Sequence, residues 1–137
     1  MKNLIATVSI GLFVLACGTN IKTIKKESET TIPEHAVRIA NDSLEYEIII
    51  FDIGFDTYLK TIAKPANYYS QSFYETKNYF YVTEWNIRHH NPMRYNSSIY
   101  ENEIDYQAHI DYGLEVNYKL YNYFKFVEYK YKERFFN

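Results

Sequence analysis

All 16 tyrosines of this 137-residue chain lie at or beyond Tyr46. The single tryptophan, Trp85, and every phenylalanine except Phe13 lie there too. A segment so rich in rings has to fold around aromatic packing, because each ring that is buried removes on the order of 150–250 Å² from water. Tyrosine adds a second constraint. A buried hydroxyl without a partner costs about 1–3 kcal/mol, so many rings must pack sideways and keep the hydroxyl at the surface. The expected product is a small domain with an aromatic core and a semi-polar aromatic skin. Such a skin suits contact with a glycan, a peptide or a membrane interface, and equally serves to enlarge a small core.

The chain before this segment is of another kind. Met1-Lys2-Asn3 gives a short positive start, and Leu4 to Ala16 is apolar apart from Thr7 and Ser9. That run is too short for an ordinary transmembrane helix, which needs about 20 residues, and fits the ~7–15-residue apolar region of a secretory signal. It ends Val14-Leu15-Ala16-Cys17-Gly18, which resembles a bacterial lipoprotein lipobox. The resemblance implies removal of residues 1–16 and acylation of Cys17. A buried free cysteine is the plainer fate of such a residue, but Cys17 is the only cysteine and stands at the cleavage point. Two or three acyl chains would hold the protein stably to a membrane, at ~0.8 kcal/mol per buried CH₂. Gly18, where an acidic residue could stand, points by analogy with sorting rules to the outer membrane.

Residues 17–37 then read as the lipidated cysteine and a flexible tether. They hold hydroxyl residues, the mixed charges Lys22, Lys25, Lys26, Glu27 and Glu29, and no aromatic. Such a stretch buries too little apolar surface to offset its ordering entropy, and its reach is on the order of 25 Å. A membrane-surface helix built on Ile21, Ile24 and the lysines is the alternative, with a thin apolar face. Residues 38–137 form the single globular domain.

Within that domain Leu44 to Phe51 is the best strand, and Asp52-Ile53-Gly54 a turn. Phe55, Leu59 and Ile62 fall at helical spacing over about 55–63, stopped by Lys64-Pro65. Ser72 and Glu75 fit a capping box for a second helix running to about His90, with Ser70 as a competing cap. One face of that helix carries Tyr74, Asn78, Tyr81, Val82, Trp85 and His89. Tyr100, Ile104 and Tyr106 alternate with acids, a candidate second strand that could pair with the first. Glu101, Glu103 and Asp105 would then approach Glu45 and Glu47, and like charges directly opposite destabilise a sheet. Val116, Leu120, Tyr123, Phe124, Val127 and Tyr131 make the clearest helical stripe, over about 113–134. The fold class is therefore α+β and mainly α-helical, with a small two-stranded element and about three helices, the longest C-terminal. The acidic stretches 42–56 and 101–115 either lie beside one another or face the basic C-terminal helix.

With leader, Cys17 and domain assembled, the chain resembles an uncharacterised family of small bacterial lipoproteins of the Bacteroidota type. Residues 47–52, 79–88 and 110–121 carry the resemblance. It implies an envelope location and brings no catalytic residues.

The composition narrows the chemistry. A formal net charge of -2 argues against a phosphate-backbone binder, so no nucleic acid is expected as a partner. One cysteine excludes a disulfide scaffold or a thiolate zinc cluster. His89 and His90 are adjacent and point about 100° apart on a helix, unlike a paired metal site. No nucleophile elbow, P-loop or dinucleotide fingerprint occurs. Carboxylate pairs such as Glu101/Glu103 read better as exposed edge residues than as a glycosidase couple. No catalytic residue, cofactor or metal is therefore assigned.

The strongest cluster for ligand or partner contact is Trp85, Asn86 and Arg88, followed after Asn91-Pro92 by Arg94 and Tyr95. Trp, Arg and Tyr dominate recognition hot spots. The plainer reading is core packing, with Arg88 paired to Glu84 or Asp111. The expected role is a membrane-anchored, non-enzymatic interaction or structural module at the envelope, touching another envelope protein. The alternative is a glycan or peptidoglycan-fragment binder built on those Trp, Tyr and Arg side chains.

Overall fold

The computed structural model describes residues 36–136. The leader, Cys17 and all but the end of the tether lie outside the described residues. An antiparallel hairpin comes first: β1 (Val37–Asn41) pairs with β2 (Tyr46–Ile50), Val37 opposite Ile50 and Asn41 opposite Tyr46. The reversal is a 3-10 turn over Asp42–Leu44. Asn41 Oδ1 accepts from Ser43 N, and Glu45 takes a left-handed conformation at φ 52°. Period-2 alternation sends Ile39 and Ile50 to the core and leaves Glu47 exposed.

The pairing partner of β2 differs from the expected one. It is the five residues just before it, which lack aromatics and adjoin the tether, and not the 100–106 segment. The backbone of that segment is held by side chains from a helix, as described below.

Gly54, at φ 97°, turns the chain into helix α1 (Phe55–Thr61). The buried pair on α1 is Phe55 and Tyr58, whereas Ile62 is exposed. The expected stripe of Phe55, Leu59 and Ile62 is displaced because the helix ends at Thr61 and Phe126 supplies an aromatic neighbour to Tyr58, 5.6 Å between ring centres. Helix α2 (Gln71–His89) is capped by Ser70, whose hydroxyl accepts from Phe73 N at 3.2 Å. Ser72 is therefore inside the helix and the expected capping box does not form. Glu75 instead accepts from the Gln71 side chain, 2.7 Å. The buried face of α2 is Tyr74, Asn78, Tyr81, Val82, Trp85 and Arg88. Arg88 takes the place expected for His89.

Helix α3 (Gly113–Tyr131) begins where Asp111 Oδ1 accepts from Gly113 N, 3.0 Å, and ends at Lys132, left-handed at φ 57°. At 19 residues it equals α2 in length. It is the central element, packing against α2, β1 and α1. Val116, Leu120, Phe124 and Val127 are almost wholly enclosed. Tyr81 stacks on Phe124 at 5.1 Å, and Phe135, beyond the helix, folds back to meet Phe124, Tyr81 and Trp85. A polar pair ties α2 to α3: Asn78 Nδ2 donates to Asn117 O at 2.9 Å and Oδ1 at 3.1 Å. Buried amides in matched pairs fix register as well as contributing stability.

Candidate functional site

Beside the hairpin lies a groove of about 750 Å³. One wall is the outer edge of β2 and its continuation to Ile53. The other is the irregular segment 98–105, and the floor includes Trp85 and Tyr123. Among the described residues β2 has β1 on one side only. In an antiparallel strand alternate residues direct their N–H and C=O groups to opposite edges. Half the peptide groups of β2 therefore point toward the groove. Among the described residues no backbone hydrogen bond crosses from β2 to the 98–105 wall. The far side of β1 is not comparable, since Lys119 Nζ donates to Arg38 O at 3.1 Å.

The second wall is fixed by α2. Trp85 Nε1 donates to Asn102 O at 2.8 Å. Asn86 Nδ2 donates to Ile104 O and its Oδ1 accepts from Ile104 N, each at 3.0 Å. Asn86 thus reads one residue of the wall as a neighbouring strand would, on the side turned toward α2. His89 Nδ1 lies 2.8 Å from Tyr100 O and extends the same seam. His90 Nδ1 sits 2.7 Å from Asn86 O. Among the described residues no three His, Cys, Asp or Glu side chains converge on a point where a metal ion could be held.

Electrostatically the groove is acidic. Glu45, Glu47 and Asp52 come from the strand side, and Glu101, Glu103 and Asp105 from the opposite wall. Lys130 is the one lining lysine or arginine, and it pairs with Asp52. Burial pulls the Lys130 ammonium down, but its bonds to Asp52 and Tyr131 outweigh this and leave it raised. Glu47 is held by Arg38 and Glu103 lies 3.9 Å from His90. Glu45, Glu101 and Asp105 form no ion pair among the described residues. At the inner end, burial, then Tyr112 and Asp105, push the Tyr46 phenol well above its ordinary range. The Tyr46 hydroxyl is enclosed, with no hydrogen-bond partner among the described residues.

Of the cluster singled out in the sequence, Trp85 lines this groove and Asn86 bonds its wall. Trp85 is 3% exposed, packed on Tyr100 and Tyr123. Arg88 is 6% exposed and knots three segments together. Its Nε donates to Glu84 (2.8 Å), Nη1 to Tyr100 Oη (2.8 Å) and Glu133 (3.1 Å), and Nη2 to Arg134 O (2.7 Å). Tyr95 covers it at 5.1 Å and Phe135 at 4.8 Å. Asp111, the other carboxylate considered for Arg88, bonds Gln71 instead. Arg94 is exposed, lying over Tyr95 at 5.4 Å. Trp85, Asn86, Arg88 and Tyr95 thus come together as scaffold, and Arg94 stands outside it. Cys17 lies outside the described residues.

Sequence reasoning did not single out the exposed edge of β2 as a site. The signal was present in the paired acidic stretches, which face each other across the groove, while Asp52 meets the basic face of α3.

Among the described residues no helix is long and apolar enough to cross a membrane. No curated protein and no solved structure matches this chain. Residues 4–137 match the family of unknown function DUF6146, and the chain belongs to that family.

Proposed function

We propose that the protein is a bacterial envelope lipoprotein of the Bacteroidota type. In this reading it is anchored through acylated Cys17, probing its surroundings with a non-enzymatic interaction domain. The observation that carries the anchor is the apolar run closing on Ala16-Cys17-Gly18 with no other cysteine in the chain. The interaction role is supported by a groove whose wall is an unpaired strand edge, a surface suited to holding another chain by its backbone. Lipid on Cys17 and a tether of about 20 residues would present that groove within roughly 25 Å of the bilayer. An outer-membrane position follows from Gly18 by the same sorting analogy.

Pull-down with the anchored protein from detergent-solubilised envelope tests the role. A partner recovered in stoichiometric amount is the expected result. Repeated recovery of the protein alone, under conditions that keep other envelope complexes intact, would refute it.

A further inference from the structure

We infer that the groove takes an extended, basic peptide segment of a partner protein, added as a strand to the outer edge of β2. This deepens the interaction reading above and rests on it.

Three observations lead there. The first is the edge. β2 has a partner on one side only, and no backbone hydrogen bond reaches its groove side among the described residues. An edge of this kind is a template for another strand. The second is the second wall. Among the described residues segment 98–105 faces β2 without pairing to it, and Trp85 and Asn86 fix it to α2 through two carbonyls and an amide. The second wall is thus a built feature, anchored by specific bonds on the side away from β2. A solvated acidic edge alone would need no opposing wall.

The third is charge. Six carboxylates line the groove against one lysine, and that lysine is paired with Asp52. Glu45, Glu101, Glu103 and Asp105 are exposed, so they remain hydrated and reachable by cationic side chains. Facing carboxylates repel an acidic chain and attract a basic one, which sets both encounter rate and partner choice. Five residues of β2 span about 17 Å. A segment of about five to eight residues would match that length, with lysine or arginine on alternate positions toward the carboxylates and apolar residues toward Ile99 and Ile104.

Fluorescence anisotropy with the full-length, detergent-solubilised lipoprotein tests this. The probe is a fluorescein-labelled peptide of alternating lysine and valine, about ten residues long. It should bind, weaken as salt rises, and outbind its glutamate–valine counterpart. N-methylation of alternate peptide nitrogens keeps the charge and removes the donors, so it should cost about tenfold or more. The exposed double substitution E101K/E103K should likewise cost about tenfold or more. Equal binding of the N-methylated or the acidic peptide to the unaltered protein would overturn the proposal whatever the double variant does. So would indifference of a folded E101K/E103K protein.

Two further outcomes would reassign the groove and also overturn the proposal. A gain of peptide affinity on Lys22→Glu, Lys25→Glu and Lys26→Glu would make the chain's own tether the occupant. Self-association abolished by E101K/E103K would make it a second copy. The pull-down separates this inference from the reading beneath it. A partner still recovered with E101K/E103K leaves the interaction role standing and removes the groove. Peptide binding without a partner does the reverse.

Discussion

Arg88 shows how much one side chain organises here. Its guanidinium joins α2 to Tyr100, to Glu133 and to the Arg134 carbonyl, so helix, groove wall and C-terminal tail meet at one planar group. A rigid fork suits this task better than an ammonium would. Removing the charge leaves Glu84 and the buried Tyr100 hydroxyl short of partners. Arg88→Met should therefore lower unfolding free energy by about 2–4 kcal/mol in urea titration, and Arg88→Lys should recover only part of the loss. Loss under 1 kcal/mol, which is the range of exposed ion pairs, would mean that the network contributes little.

The tyrosines give the residue scale a pH dependence. Burial, then nearby Glu75, pushes the Tyr106 phenol up to about 12, and burial with Tyr81 does the same for Tyr121. Tyr46 and Tyr123 are raised further by burial. A phenol raised in the folded state holds its proton where the unfolded chain, near pH 10, has released it. The native state then binds more protons, so stability falls as pH rises. The contribution is complete below about pH 10 and is lost from there to about pH 12. Phenolate absorbance and far-ultraviolet circular dichroism followed together should show tyrosine ionisation coinciding with cooperative unfolding in that window. Full ionisation of a still-folded protein near pH 10 would contradict the packing described.

At the scale of elements, helices were the most legible part of the sequence. Five of six stripe positions on α3, with Tyr131 exposed at its end, and five of six positions on α2 follow from 3.6-residue spacing, because long helices repeat their signal over several turns. Short elements carry less. Val37–Asn41 offers one turn's worth of alternation next to a polar tether, so its pairing with β2 was not apparent, while acidic alternation at 100–106 imitated a strand. What decided between them is tertiary: Trp85 and Asn86 capture the backbone at Asn102 and Ile104. Arg88 was legible as a partner of Glu84, four residues away on the helix. Its bonds to Tyr100 and Glu133 were not, because nothing local encodes contacts 12 and 45 residues distant. The acidic lining of the groove was legible in the two acidic stretches, but the open edge was not, since an edge is defined by what fails to pair with it. The cap of α2 offers a clean element-scale test. Ser70→Ala should cost about 1 kcal/mol, and Ser72→Ala only a few tenths, as an exposed position inside the first turn. Equal losses in thermal or urea melts would restore the capping box centred on Ser72.

The whole molecule combines an aromatic domain with an N-terminal segment of entirely different composition. A two-stranded hairpin is marginal alone in water. Here it is stabilised by Ile39 and Ile50 buried in the common core, and by α3 across the far side of β1. That arrangement leaves the outer edge of β2 supported but unpaired among the described residues. Presentation of such an edge near a bilayer gives the acidic groove its proposed meaning. Two-dimensional restriction raises the effective concentration of any other anchored partner, as linkage does for tethered modules. The same edge on a freely diffusing protein would be an aggregation hazard with no evident use.

Everything at this largest scale depends on Cys17. Intact-mass spectrometry of protein extracted from its native cells, after detergent phase partitioning, addresses it directly. The expected species lacks residues 1–16, begins at Cys17, carries two or three acyl chains and enters the detergent phase. A polypeptide that retains Met1, bears no lipid and remains in the aqueous phase would contradict the anchored reading outright.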